Sequence, residues 1–557
     1  MRLRIDRATR WVRRQTSSAV DAARDIAART KPAERARRLA LAAERANIET
    51  RLLELARHES TRSQRLLIDG QWDNPHYWYR LSLLRAALGS AGAEEIGFTG
   101  EWQAAPVRQT FSRLGIDDLR SYVPSAAAGA QMARAAEIVA RLRTPDDLLA
   151  LKLPLGMPAG IVYDGILKRI RQAEIDPRHS QLVPLLAEAL AAIELADALL
   201  AETRPDLLVL SHAVGFAYGA LAWCAVRRGV SAIVLYGNYG VPRFFRLGSL
   251  DDIYDWNNGI DAAEIDALAS HRADALADAG RAYLARRLSG ATDDIGGRSA
   301  FAAAQIRSDR AMIAGAFGWD PERPIVSVYA SNWFDFPHAC GLSQFRDLKD
   351  WLAATVQEAA AHHDANWLFK PHPCDAWYGG ITLADLMPET RPAHLALAPA
   401  NWNGAAVTAA SDALVTLHST GGIEYAAAGK PVLLADRGWY DRAGFALRAG
   451  SRPAYAALLR SRWWEGMDLA RMRRRAAIFA GAYFCAPSWQ DPIVTSDDSA
   501  RGALYTPLRG ILDRRAEIER EVGLLRAWLQ DGTPRYHSFK MLRDEPIGLG
   551  NVRPVHG

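Results

Sequence analysis

The sequence predicts an α/β protein built from two doubly wound, parallel-sheet domains with helical extensions at both ends. Three observations predict it. The chain has 557 residues, too many for one core, so two or three domains are expected. Short apolar runs alternate with longer helical stretches, the pattern of parallel sheets. The alternation occurs twice, on either side of a stretch rich in Ala, Asp and Arg from about 260 to 312. Hydrophobic residues make up 49% and charged residues 24% of the chain, a normal globular balance.

Residues 1–60 read as a helical, basic extension. The run RLLIDG (65–70) is a first buried strand, and PHYWYRLSLLRAALGS (75–90) is a helix closed by Gly89. Signals are weaker to about 150. A long helix then covers 178–205, followed by the strand DLLVLSH (206–212), a helix ending at Gly229, and the strand VSAIVLYG (230–237). The second series opens with RPIVSVYASN (323–332). It continues with the helix DLKDWLAATVQEAAAHH (347–363) and the strand NWLFK (366–370), then DALVTLH (412–418), a short helix and PVLLAD (431–436). The expected domains are 61–290 and 291–450, with a helical segment over 451–557. There is no solenoid-period repeat and no low-complexity tract.

The net charge of +5 is small for this length, so no nucleic-acid partner is expected. The charge is uneven: the opening MRLRIDRATRWVRRQ carries Arg2, Arg4, Arg7, Arg10, Arg13 and Arg14 around Leu3, Ile5 and Trp11. It reads either as a basic amphipathic helix on an anionic membrane surface or as a solvated helical arm. No apolar core follows it, so no signal peptide is expected. The most apolar helix, 182–202, contains Glu188, Glu194 and Asp197 and is too polar to span a membrane. Cys224, Cys340, Cys374 and Cys485 form no Cys-x-x-Cys pair, which suits a reducing compartment. The expected location is the cytoplasm, with the inner face of a cell membrane as the surface the Arg-rich start would touch.

Ligands of open parallel sheets bind beyond the C-terminal ends of the strands, and two stretches fall there. Lys370-Pro371-His372-Pro373 follows the strand at 366–370. Its prolines stiffen the loop and could aim the His372 imidazole, with Lys370 adding charge; the alternative is a turn with a merely exposed His. His418-Ser419-Thr420-Gly421-Gly422 links the strand at 412–418 to a short helix. Gly421 and Gly422 would let backbone N–H groups approach a ligand. The helix N-terminus favours phosphate. Ser419 and Thr420 would bind phosphate oxygens or simply cap the helix. Glu424 misses the capping-box spacing with Thr420 and is free to meet a sugar hydroxyl or to favour the first helical turn. His418 would line the phosphate or pack at the strand end.

No Asp-x-Asp, Walker loop, Gly-x-Gly-x-x-Gly or His-Glu-x-x-His motif is present. No metal or cofactor is therefore expected, and phosphate would be met by Lys, His and hydroxyl groups and a helix terminus.

The KPHP stretch, followed about 45 residues later by HST-x-G-x-E-x(4)-GKPV and then Trp439-Tyr440, resembles bacterial capsule and surface-polysaccharide biosynthesis proteins. These include transferases for 3-deoxy-manno-octulosonic acid (Kdo), and they are similar to bacterial sialyltransferases. The resemblance is strong over about 325–445 and suggestive in LPLGMPAGIVYDGILKR (153–169) and DLLVLSHAVGFAYGALAW (206–223). It implies a GT-B glycosyltransferase: two Rossmann-like domains facing a cleft, with the acceptor on the first and the donor on the second. It also implies a CMP-linked sugar donor held by His372 and Pro373 and by Ser419 and Thr420, and a polysaccharide or lipid-linked saccharide acceptor. Transfer would be inverting and metal-independent. The family's base is an Asp or Glu, often followed by Gly. Asp164-Gly165 matches best and Asp69-Gly70 second, against a helix N-cap as the alternative for Asp164. Tyr440 would stack or hydrogen-bond near the nucleotide. Arg243-Phe244-Phe245-Arg246 would face the acceptor or form an exposed loop.

Two other classes stay open. One is a transferase of polyol phosphate, such as glycerol phosphate from CDP-glycerol, which catalytic histidines in both domains would favour; His212 is the strand-end candidate in the first. The other is a non-catalytic assembly subunit that keeps the fold.

Overall fold

The computed structural model describes residues 32–56, 64–89, 93–101, 104–236, 243–255, 257–291, 295–302, 309–485 and 506–543. The Arg-rich start and the 237–240 loop lie outside the described residues.

The first sheet contains β1 (Arg65–Gly70), β2 (Glu94–Thr99), β3 (Asp118–Ser121), β4 (Leu207–Leu210), β5 (Ser231–Tyr236) and β6 (Arg243–Leu247), in the order β3-β2-β1-β4-β5-β6. All neighbours are parallel except β5 and β6. The second contains β7 (Ile325–Tyr329), β8 (Asn366–Lys370), β9 (Leu395–Leu397), β10 (Ala413–Thr416), β11 (Val432–Leu434) and β12 (Leu447–Arg448), ordered β12-β11-β10-β7-β8-β9 and parallel throughout. These are two Rossmann-like, doubly wound sheets, the GT-B-like α/β architecture that the sequence predicts. In each, winding proceeds outward in both directions from a central pair, β1/β4 and β7/β10. Those pairs are the topological switch points where such sheets open a crevice.

The strongest strands are apolar on both faces because helices cover both sides; β4 and β8 are buried along their whole length. The principal helices are α1 (Pro32–Ala56), α2 (Pro75–Leu88), α3 (Ala159–Ile170), α4 (Leu182–Thr203), α5 (Gly215–Arg227), α6 (Ser270–Leu288), α7 (Leu348–Ala361), α8 (Gly421–Ala427), α9 (Leu469–Ala480), α10 (Arg515–Asp531) and α11 (Tyr536–Leu542). Local chemistry sets their ends. Asn74 caps α2 by accepting from the His76 N–H, and Gly89 closes it in the left-handed region. Asp347 caps α7 through the Asp350 N–H.

The stretch 243–246 is strand β6, neither an exposed loop nor an acceptor surface. Arg243 is buried, donates to the Tyr483 carbonyl and lies over the Tyr483 ring. Arg246 donates to the Leu529 carbonyl. Helices α10 and α11 return to the first domain, where Trp528 and Tyr536 pack on Phe244. Helix α6 packs against α9 within the core of the second domain.

Helix α3 joins the domains. Ile161, Val162 and Tyr163 share one buried cluster with Trp333, Phe334, Ala339 and Leu342 from the loop after β7. Tyr163 donates to Asp347 at 2.9 Å, and Lys168 to Asp335 at 2.6 Å. No helix among the described residues is long and apolar enough to cross a membrane.

Candidate active site at the facing sheet ends

The loop after β7 reaches across to the first domain and brings the mouths of both sheets together. Phe336 adopts φ 57°, a costly conformation for a residue with a Cβ. Its ring faces Gly215, the first residue of α5, whose φ is 63° and where a Cβ would stand 2.9 Å from that ring. Asp335 beside it acts electrostatically on His212 at the end of β4 and on His418 at the end of β10. Lys168 pairs with Asp335 and lies 5.0–5.6 Å from the centroids of Phe334, Phe336 and Tyr378.

On the second domain, His418 ends β10 at the switch point. Its Nδ1 has no hydrogen-bond partner among the described residues. Burial lowers its pKa, against the opposing charges of Asp335, Asp436 and Asp164, so it is a neutral imidazole near pH 7. Ser419 Oγ accepts from the Gly421 N–H at 3.2 Å, a local turn bond, while the Thr420 side chain makes no cap bond. Helix α8 has seven residues, so a ligand here would rely mainly on side chains. His372, just beyond β8, which β7 separates from β10, is partly exposed; its Nδ1 accepts from the Cys374 N–H at 3.2 Å across Pro373.

Other residues of the two motifs are engaged elsewhere. Lys370 is buried and its Nζ donates to the Trp402 carbonyl at 2.9 Å; burial pulls its pKa down to about 8. Both faces of β8 are covered, so its ammonium is taken up by the Trp402 carbonyl and not placed beside His372 as the sequence predicts. Glu424 accepts from Arg287 at 2.7 Å in an ion pair whose side chains are each 5% exposed. Tyr440 is buried, stacks on Phe445 and donates to the Ser419 carbonyl at 2.6 Å; it holds the loop from behind. Gly421 and Gly422 are small for a packing reason. A Cβ on Gly421 would lie 2.8 Å from the Tyr329 ring, and one on Gly422 2.1 Å from the Tyr440 hydroxyl.

Asp164 sits in the middle of α3, so it is no N-cap. It is fully buried and accepts from His338 Nδ1 at 2.7 Å and from the Ala339 N–H at 2.9 Å. Burial lowers the His338 pKa, but the charge and hydrogen bond of Asp164 outweigh it and leave it raised, with the Arg346 backbone adding to the rise. Asp164 thus clamps the domains together through His338.

Four side chains at the mouth escaped the sequence reading. Arg437 and Arg442 follow β11 and meet the two oxygens of Asp255 at 3.2 and 3.1 Å. Asp375 follows His372 on the next turn; burial raises its carboxyl to about 7, and its Oδ2 has no hydrogen-bond partner among the described residues. Trp72, after β1, is 38% exposed and lies 5.5 Å from the His212 ring. The signal for Arg437 was available: it lies three residues beyond the end of β11, two before the Trp439-Tyr440 pair.

No family model and no curated protein matches the chain. Solved structures that align along most of it include UDP-GlcNAc 2-epimerase from Neisseria meningitidis bound to UDP-GlcNAc, at 11% identity over 75% of this chain and 97% of that one, TM-score 0.23. Another is the glycosyltransferase SnogD from Streptomyces nogalater, at 13% identity over 76% and 98%, TM-score 0.23. A third is the S. aureus MnaA–UDP complex, at 10% identity over 75% and 94%, TM-score 0.25. Likeness at these scores carries no functional weight, and the site is read from its own residues.

Proposed function

We propose that the protein is a glycosyltransferase that moves a sugar from a nucleotide donor, CMP-linked by its resemblance to the Kdo transferases, to a polysaccharide or lipid-linked saccharide. The observation that supports this is that the loop after β7 packs on the first domain, Phe336 against Gly215, so that Asp335 acts electrostatically on both His212 and His418. In this reading the donor phosphate sits against His372, His418, Ser419, Thr420 and Arg437. These groups stabilise the charge that grows on the leaving phosphate, in an inverting, metal-independent displacement. The Arg-rich start would hold the enzyme at an anionic membrane face.

One observation favours a second reading. The charge of Asp335 acts on histidines from both domains, His212 and His418, which suits transfer of a polyol phosphate from a CDP-linked donor.

The test is nucleotide release from CMP-Kdo, CMP-sialic acid, CDP-glycerol and UDP-GlcNAc by the full chain. CMP release from a CMP-sugar is expected, falling roughly 100-fold or more in His418→Ala and Arg437→Ala. CMP release from CDP-glycerol alone selects the second reading. UDP release alone rejects the donor.

A further inference from the structure

Asp69, Ser211 and His212 form a chain of hydrogen bonds at the β1/β4 switch point. Asp69 is fully buried and accepts from the Gln71 N–H at 2.8 Å, the Ser211 N–H at 2.9 Å and Ser211 Oγ at 2.5 Å. Burial raises the Asp69 carboxyl against these three hydrogen bonds; in its ionised form it acts as an acceptor only. Ser211 therefore gives its hydroxyl proton to Asp69, and its oxygen is left to accept from His212 Nδ1, 3.1 Å away. With Asp69 ionised, Nδ1 carries the proton and Nε2 the lone pair. No hydrogen bond to Nε2 is found among the described residues. The ring is held between Trp72, at 5.5 Å, and Tyr218, at 5.3 Å.

We infer that His212 is the general base of the transfer, oriented by Ser211 and Asp69, and that Trp72 is the stacking platform for a saccharide acceptor. The inference rests on the transferase reading above. His212 Nε2 takes the proton of an acceptor hydroxyl as that oxygen bonds to the anomeric carbon. The bond from the anomeric carbon to the phosphate oxygen breaks, its electron pair leaves with the nucleotide, and the imidazolium returns the proton to solvent. Trp72 suits the acceptor because an exposed indole buries the apolar face of a sugar ring while the hydroxyls stay solvated. Asp164 is then a positioning residue for the domain interface.

Burial pulls the His212 pKa down to about 4, opposed by Asp335. The charged and titratable groups around the ring are Asp335 with its partner Lys168, the buried Asp69, and Tyr218. The base is thus deprotonated throughout the neutral range.

The experiment uses the full chain and whichever of the four donors above releases nucleotide, with water as acceptor. His212→Gln should lower kcat by roughly 100- to 10,000-fold while leaving the thermal shift with the released nucleotide intact. In the native enzyme the acid limb of the rate profile should fall near pH 4. Ser211→Ala should lose a smaller factor and move that limb downward, because the imidazolium loses the oxygen that accepts from its Nδ1–H. A kcat for His212→Gln within roughly threefold of native, with nucleotide binding intact, overturns the base; loss of nucleotide binding in the native protein overturns the transferase reading itself. Carbethoxylation by diethyl pyrocarbonate near pH 5, where ordinary imidazoles are mostly protonated, needs no donor. Selective labelling of His212 supports the open Nε2, and an unreactive His212 contradicts it. Saturation-transfer NMR with methyl β-galactoside and chitobiose should show contacts that vanish in Trp72→Ala; no contact, or equal contact in both proteins, overturns the platform.

Discussion

Two carboxyl groups near the cleft carry opposite consequences for pH. Asp375, pushed up to about 7 by burial, lies a turn from His372, with Asp385 adding to the rise. As pH falls through that value the group loses its charge and stops repelling an anionic ligand. Nucleotide affinity should therefore strengthen from about pH 8 to 6, and that gain should shrink in Asp375→Asn; titration calorimetry at several pH values checks it. Asp164 instead keeps its neighbour charged. The pKa of His338 is raised in the fold, so its contribution to stability is complete below the ordinary value of about 6.5 and is lost as pH rises through the higher native value. Urea midpoints should decline over that window in the native protein and not in Asp164→Asn. Asp164→Ala should cost about 3 kcal/mol at neutral pH, because it strands a buried partner.

At the scale of elements, the loop between β10 and α8 is supported from behind by aromatic residues. Tyr440 holds the Ser419 carbonyl and Trp439 the His418 carbonyl, at 2.6 and 2.8 Å. Tyr440→Phe should cost about 1 kcal/mol, the worth of one hydrogen bond plus an orphaned carbonyl. Gly422→Ala should cost more, roughly 2–3 kcal/mol by overpacking against Tyr440. Both should weaken nucleotide binding, a pairing that thermal unfolding with and without ligand will separate. This loop was legible in the sequence because its residues are contiguous and run into Gly421 and Gly422. Strand β2 was not: EEIGFT opens with two glutamates and carries Gly97, which suits an element entering from solvent but hides its apolar half. Strand β6 hid its buried arginine because the covering partner, Tyr483, lies 240 residues away. The Asp69–Ser211 contact spans 142 residues and exists only because β1 and β4 are neighbours at the switch point. The sequence offered each half without the pairing. Lys370 was misleading for the reverse reason, since its position in the motif said nothing of which side of β8 it faces.

Across the molecule, the domains are joined more firmly than a hinge requires. One apolar cluster runs from Leu67 in the first sheet through α3 to Trp351 in the second domain. The chain end also returns through α10 and α11 to cover β6. Cooperativity should follow: urea unfolding read by far-ultraviolet circular dichroism and by tryptophan fluorescence should give coincident transitions. Separate transitions would mean that the interface contributes little. The two-domain plan was legible in the sequence, since each sheet announces itself by alternation. The interface was not, because its residues, such as Asp164 and His338, look polar and look catalytic.

The most direct measurement is a thermal-shift titration of the full chain with CMP, CDP, UDP and GDP, repeated on His372→Ala and Arg437→Ala. A ligand bound only by the native state must raise the melting temperature, by an amount that grows with its concentration over Kd. A nucleotide site built on the second sheet requires a rise with a cytidine nucleotide that is lost or sharply reduced in both variants. No rise with any of the four nucleotides, or a rise that both variants retain in full, would contradict it.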